Sequence, residues 1–303
     1  PPPPARAQDQ TQPPRMDVYP RHPDRLGYPP YTSMRSACVC SRARVTECGH
    51  SRERIARHRH MHARVLVPRV LLVDATPRRP DRDRIVARAV PSLVCLDRDG
   101  VINVDVGPPG VTDVEQFALI PGAARAVGAL NDAGATVCVV TNQTAVGKGF
   151  MEERYLTDVV HEEMRRALTR EDARATISGG IYYAYKARSE PCQRRKPAPG
   201  MILEACEANG VDASSCAFVG DTVTDMQAAG RAGARRLLVC TGYGTIMGEA
   251  LRRNNVALPT RIWSRVDDPM MSFPDECFPM DVYEDLLHCV ECILNERAQR
   301  SPI

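Results

Sequence analysis

Leu93-Val94-Cys95-Leu96-Asp97-Arg98-Asp99-Gly100-Val101-Ile102-Asn103 is the stretch from which the fold can be read. Four apolar residues have the look of a buried strand. Two carboxylates one residue apart, followed by a glycine, stand where a parallel strand would end and its loop begin. That edge is where open α/β sheets place their chemistry. There Asp97 can serve as a nucleophile and Asp99 as a proton donor, with a metal between protein and phosphate. Asp and Gly are also ordinary loop residues after a strand, so three motifs downstream decide between the two.

From residue 92 onward, strand and helix patterns alternate. Ser92–Asp97 reads as a strand and Gly122–Asn131 as a helix with Ala126, Val127 and Leu130 on one face. Ala135–Thr141 is an unbroken apolar run, the pattern of a central parallel strand covered on both faces. Met151–Leu168 reads as an amphipathic helix, Ile177–Ala184 as a strand, Gly200–Ala208 as a helix and Ala217–Asp221 as a strand. Asp225–Ala232 reads as a short helix, Leu237–Cys240 as a strand and Val282–Arg297 as a terminal helix. Alternating βαβα predicts an α/β fold: a doubly wound, Rossmann-like parallel sheet. Only 44 residues separate Asp97 from Thr141 and 55 separate Thr141 from Lys196, so no large cap domain is expected.

Three further strand ends carry polar chemistry. Val139-Val140-Thr141-Asn142-Gln143 places a hydroxyl and an amide where they can donate to phosphoryl oxygens. Arg195-Lys196-Pro197, with Pro199-Gly200, precedes a helix; its Lys can neutralise charge on Asp97 and on a transferring phosphoryl group, while Arg195 can grip a second anion. Val219-Gly220-Asp221-Thr222-Val223-Thr224-Asp225 sets carboxylates at i and i+4 around a strand-to-helix turn. That arrangement suits a hard, oxygen-liking cation such as Mg²⁺, and equally a helix N-cap pair. Each motif has an ordinary structural explanation alone; four in this order at four strand ends do not. The chain has three lysines among its 40 basic residues, Lys148, Lys186 and Lys196. Lys196 lies in the third motif, and Lys148 in the loop after the second.

These residues resemble the haloacid dehalogenase-like phosphatases, and within them the D-glycero-D-manno-heptose 1,7-bisphosphate phosphatase and histidinol-phosphatase branch. The resemblance runs from about Ser92 to Gly244 and includes Ile120-Pro121-Gly122-Ala123 and Gly200-Met201. It implies Asp97 as nucleophile, Asp99 as acid and base, and Thr141 and Lys196 as stabilisers of the transferring group. It implies Mg²⁺ held by Asp97, Asp221 and the Asp99 backbone carbonyl, with Asp225 as ligand or support. Substrate contacts would come from Asp105, Asn142, Gln143, Thr144, Lys148 and Arg195. In the heptose branch a structural zinc is held by a Cys-x-His and a Cys-x-Cys pair just before Arg-Lys-Pro. This chain has Ala184, Lys186, Cys192 and Arg194 at the matching positions, one candidate ligand where zinc needs about four. Zinc is not expected, and that loop must be held in another way. Val106 and Pro108 also replace the polar and aromatic residues of the first loop.

Residues 1–91 carry 18 Arg, no Lys and 8 Asp or Glu, while the remainder carries 22 basic against 29 acidic residues. Residues 1–88 are rich in Pro and Arg and read as a mostly disordered extension; residues 89–303 read as the phosphatase domain. The chain does not open on Met, and Met16, Met34 and Met61 are candidate starts. From Met34 the extension has the Arg-rich, acid-poor character of an organellar transit peptide. Cys38, Cys40, Cys48 and His50 lack the spacing of a common zinc module. Twelve cysteines, several inside expected strands, suit a reducing compartment, and no stretch is long enough to span a membrane. A cytoplasmic protein is expected, a monomer or small homo-oligomer, acting on a small phosphorylated metabolite such as a sugar phosphate or a histidinol-phosphate-like compound. Two alternatives stand beside it. A nucleic-acid 3′-end phosphatase is disfavoured by the acidic body and the lack of a kinase P-loop. A non-enzymatic binding protein on the same fold is disfavoured by the complete set of chemical groups.

Overall fold

The computed structural model describes residues 90–186, 190–265, 267–268 and 271–298. The expected extension over 1–88, with its cysteines and histidines, lies outside them.

The sheet grows on both sides of β1 (Leu93–Leu96). On one side stand β2 (Thr136–Asn142) and β3 (Ile181–Ala184); on the other, β4 (Cys216–Gly220) and β5 (Arg235–Val239). β6 (Thr260–Ile262) and a ribbon of β7 (Asp267–Asp268) and β8 (Met271–Ser272) follow, and then β9 (Met280–Tyr283). The seven-stranded order is β3-β2-β1-β4-β5-β9-β6, parallel except for β6, which runs antiparallel to β9 at the edge. The doubly wound α/β fold is therefore present.

Helices cover both faces. α1 (Ala123–Asp132), α4 (His161–Glu171) and α8 (Leu286–Ala298) pack over Val94, Leu96, Val137, Val139, Val219 and Leu237. α5 (Gly200–Ala208), α6 (Val223–Ala232) and α7 (Thr245–Arg253) pack over Cys95, Cys138, Val140, Phe218 and Leu238. Successive side chains of a strand point to opposite faces; with both faces covered, β1 and β4 are buried throughout and read as continuous apolar runs.

Register positions the site. Leu96 pairs with Val139 on one side and with Val219 on the other, so the ends of β2, β1 and β4 stop side by side. Thr141, Asp97 and Asp221 therefore emerge at one edge, where the chain winds to both sides of β1. α2 (Thr144–Gly147) and α3 (Glu153–Tyr155), followed by a π-turn over Leu156–Val160 that runs into α4, fill the connection after β2.

The expected terminal helix over 282–297 is corrected. Val282 and Tyr283 belong to β9, where Val282 pairs with Leu238 and the Tyr283 carbonyl accepts the Cys240 N–H. Their backbone groups are committed to the sheet, and the helix starts after Asp285, whose Oδ1 accepts the His288 N–H at 2.8 Å. The expected strand over 177–184 is shortened to Ile181–Ala184, with Gly180 at φ +92° bending the chain just before it. α7, β6 and β9 had no clear counterpart in the sequence pattern.

Candidate active site

Asp97 follows β1 directly, its N–H still laddered to the Val219 carbonyl at 2.9 Å. Its Oδ1 accepts the Arg98 N–H at 2.7 Å, and its Oδ2 lies 2.9 Å from Lys196 Nζ. Lys196 also reaches Asp225 Oδ1 at 2.7 Å and donates to the Val140 carbonyl at 3.0 Å. The ammonium is buried, with the Phe218 ring below it at 5.2 Å. Burial opposes its charge, but Asp225 and Asp97 outweigh that and push the Lys196 pKa up.

Asp225 sits in the first turn of α6 and closes a capping box with Thr222. Its Oδ2 accepts from the N–H groups of Asp221 at 3.2 Å and Thr222 at 3.0 Å, and from Thr222 Oγ1 at 2.8 Å. The helix-cap reading of this motif is thus realised by Thr222 and Asp225, and the same Asp225 carboxylate faces Lys196. Asp221 Oδ2 accepts the Tyr243 N–H at 2.8 Å, from the loop after β5. Its Oδ1 is buried with no hydrogen-bond partner among the described residues. Gly100 and Gly242, both at positive φ, let backbone pass so close that a Cβ on either would overlap the Asp221 carboxylate. Thr241 Oγ1 ties the two loops by donating to the Gly100 carbonyl at 2.6 Å.

Ligand oxygens of Asp97, Asp221 and Asp225 lie within 4.8 Å of one another. Burial, then the charges of Asp225 and Asp99, push Asp97 up to about 7 despite Lys196. Burial, then Asp225 and Asp97, push Asp221 well above the carboxylate range. Three carboxylates here face one ammonium. The excess negative charge and the partnerless Asp221 oxygen fit a hard divalent cation, which would restore both groups to the ionised form.

Asp99 stands apart from that cluster. Its Oδ1 accepts from Asn103 Nδ2 at 2.9 Å and Arg98 Nη2 at 3.0 Å; its Oδ2 accepts from Gln143 Nε2 at 2.8 Å and Arg98 Nη2 at 2.9 Å. Burial works against its ionisation, but the Arg98 charge and the Asn103 and Gln143 bonds prevail and hold its pKa below the usual value. Gln143 also donates to Thr141 Oγ1 at 2.9 Å, so one amide joins the ends of β1 and β2. Asn142 Oδ1 accepts the Lys196 N–H and its Nδ2 donates to the Lys196 carbonyl, both at 3.1 Å.

The remaining expected contacts lie in the loops after β1 and β2 and before α5. Asp105 is half-buried and accepts the Gly107 N–H at 2.9 Å; burial raises its pKa. Thr144 opens α2, and Lys148 is exposed just after it. Arg195 donates to the Lys186 carbonyl at 3.2 Å. The loop where the resemblance places zinc is held, over its described part, by Arg194–Glu204 at 3.0 Å and by Gly200 N–H to the Gln193 carbonyl at 3.0 Å. Arg231 adds a bond to the Pro197 carbonyl at 3.0 Å.

Sequence reasoning missed Arg98, Asn103, Thr241 and the Tyr243 N–H as parts of the site. Arg98 and Asn103 lay inside the first motif, but nothing in their spacing tells that both turn back onto Asp99.

Fold and site together define an α/β protein with a buried acidic centre at the carboxyl edge of a doubly wound sheet. The HAD-hydrolase-like family model matches residues 193–268. A D-glycero-beta-D-manno-heptose-1,7-bisphosphate 7-phosphatase of Pseudomonas aeruginosa is 35% identical over 153 residues, covering 50% of this chain and 83% of the relative. One from Neisseria meningitidis serogroup A is 34% identical over 181 residues, covering 60% of this chain and 91% of the relative. The crystal structure of D,D-heptose 1,7-bisphosphate phosphatase from B. bronchiseptica, complexed with magnesium and phosphate, superposes with a TM-score of 0.54 at 29% identity; it covers 68% of this chain and 99% of that one. The chain belongs to the haloacid dehalogenase-like phosphatases. Among the described residues, no helix is long and apolar enough to cross a membrane.

Proposed function

We propose that the protein is a Mg²⁺-dependent phosphomonoesterase that hydrolyses a small phosphorylated metabolite, a sugar phosphate or histidinol-phosphate-like compound, through an aspartyl-phosphate. The observation that carries this reading is the buried cluster of Asp97, Asp221 and Asp225 around Lys196, with Asp99 held beside it. Asp97 attacks phosphorus as the ester P–O bond breaks; Asp99, ionised in the free protein, takes up a proton as the phosphate dianion binds beside it and gives that proton to the departing alkoxide. Asp99 then takes a proton from water, whose oxygen attacks the same phosphorus. The bond to Asp97 breaks, and phosphate and the free carboxylate are restored.

Asp97, Asp221 and the Asp99 backbone carbonyl would hold the metal, with Asp225 supporting them through Lys196 and the α6 cap. Bound there, Mg²⁺ supplies charge that offsets the repulsion between a phosphate dianion and the acidic site. Thr141 and Lys196 steady the transferring group. With the Asn142 and Gln143 amides engaged within the site, contact with the leaving group falls to Asp105, Thr144, Lys148 and Arg195. Zinc has no part in this reading, because Ala184, Lys186 and Arg194 offer no thiolate or imidazole.

The test is phosphate release by the full chain with Mg²⁺ across a panel of sugar phosphates, sugar bisphosphates and histidinol phosphate. Turnover of a member of this panel, abolished by Asp97→Asn and by chelation, is the expected result. Turnover surviving Asp97→Asn would remove the covalent intermediate.

A further inference from the structure

Among the described residues, Arg98 hydrogen-bonds both reacting carboxyls. Its N–H donates to Asp97 Oδ1 at 2.7 Å. Its guanidinium folds over Asp99, with Nη2 at 3.0 and 2.9 Å from the two oxygens and Nε 3.3 Å from Oδ1. Its carbonyl accepts the N–H groups of Ile102 at 2.9 Å and Asn103 at 3.0 Å. That turn is what brings Asn103 Nδ2 back to Asp99.

The Arg98 side chain is wholly buried, the bulkiest of the fully buried side chains described. Burying a guanidinium costs several kcal/mol unless a partner offsets it, and Asp99, whose side chain is one-fifth exposed, is that partner. Behind the pair lies His161, buried and pushed down to about 3 by burial and then by the Arg98 charge. A neutral imidazole adds no positive charge beside the guanidinium, and none of its atoms bonds Arg98 among the described residues. Arg98 Nη1 and His161 Nε2 have no partner among the described residues, so Asp99 is where this cation is directed.

We propose that Arg98 is a positioning residue: its buried guanidinium fixes the Asp99 carboxyl relative to Asp97, so proton donor and nucleophile keep one alignment. The inference rests on the proposed phosphatase chemistry, in which Asp97 attacks and Asp99 donates. It has a kinetic signature. Expelling an alkoxide requires the Asp99 proton, whereas a nitrophenolate leaves without one. kcat/KM reports steps up to departure of the leaving group, and the water step shared by all substrates enters only kcat.

The test uses the full chain with Mg²⁺ and a matched pair of esters, p-nitrophenyl phosphate and p-nitrobenzyl phosphate. Arg98→Met should lower kcat/KM on the benzyl ester by about a hundredfold and on the phenyl ester by less than about threefold. On the phenyl ester, a burst of nitrophenol should precede a slowed steady state. Arg98→Lys should fall between Met and wild type. Asn103→Ala, which removes one bond to Asp99, should shift the ratio the same way by about tenfold. If Arg98→Met does not fold, the Lys and Asn103 variants decide the ratio. Equal losses on both esters, or no loss on either, would overturn the proposal. Loss of both activities in Asp97→Asn supports the phosphatase chemistry beneath it. A wild-type protein inactive on both esters and on the metabolite panel would overturn that chemistry, and the role of Arg98 with it.

Discussion

The Asn142 side chain and the Lys196 backbone hold each other through two hydrogen bonds of 3.1 Å, one in each direction. This clasp joins the end of β2 to the turn that carries the buried ammonium, across 54 positions of sequence. Asn142→Ala removes both bonds and leaves a partly buried N–H and C=O unpaired, a loss of about 1–2 kcal/mol. Because Lys196 is then less well placed, kcat/KM should fall by about ten- to a hundredfold. Thermal melting and steady-state kinetics on one preparation check both.

Lys196→Met takes the cation from between Asp97 and Asp225, whose oxygens lie 2.9 and 2.7 Å from Nζ. Breaking a buried pair from one side costs on the order of 3 kcal/mol or more. For a domain of this size that is a drop of about 6–12 °C in Tm. Melting in EDTA should show the full loss, and saturating Mg²⁺ should recover part of it while activity stays below about one per cent of wild type.

Gly100 and Gly107 have similar backbone angles, φ +84° and +76°, but different surroundings. A Cβ on Gly100 would overlap the Asp221 carboxylate, and one on Gly107 meets nothing within 4 Å. Both alanine variants carry the backbone strain of about 1–3 kcal/mol. Only Gly100→Ala should displace Asp221 and abolish the Mg²⁺-induced rise in Tm. The same response in both variants would show that strain alone matters.

Without metal, Asp97 is pushed from the ordinary 3.8 up to about 7. The folded protein then holds that proton more tightly than the unfolded chain. Its contribution to stability is fully present below pH 3.8 and is lost as pH rises through about 7. A cation competes with the proton for the same oxygens. The rise in Tm on adding Mg²⁺ should therefore be small near pH 5 and level off above about pH 7.5. Melting curves with and without Mg²⁺ across this range measure it; a shift independent of pH would sever the link to the carboxylates.

His161 carries the opposite sign. Its pKa is pushed from 6.5 down to about 3, so on acidification the unfolded chain takes up the proton first. Stability present above pH 6.5 is lost progressively toward pH 3. His161→Phe removes this loss and leaves no unpaired ring nitrogen. In EDTA its Tm should gain on wild type steadily as pH falls from about 6.5 to about 4.5.

Much of the fold was legible because strand periodicity and burial are local signals. β1, β2 and β4 declare themselves as apolar runs with a polar residue at the carboxyl end. β9 did not, because Val282 and Tyr283 lie two residues before a helix and continue its apolar spacing; only pairing with β5 makes them a strand. The candidate residues were legible as types for a similar reason: Asp97 and Asp221 directly follow β1 and β4, Thr141 lies in the last two residues of β2, and Lys196 lies in the Pro-containing turn ahead of α5.

What each residue bonds to was not legible. Asn142 and Gln143 looked like substrate contacts, and in the fold their amides bind Lys196, Asp99 and Thr141. The sequence by itself determined the strands β1, β2, β4 and β5 and the helices between them, the polar motifs after β1 and β4, at the end of β2 and ahead of α5, and the kind of chemistry such motifs support. Only the tertiary structure decided that Lys196 bridges Asp97 to Asp225 and that Arg98 turns back onto Asp99. Periodicity records which face of an element is buried, since that is a property of neighbours along the chain. Hydrogen bonds and ion pairs are set by side-chain rotamers and by the register of strands that meet from distant parts of the sequence, which no local pattern encodes.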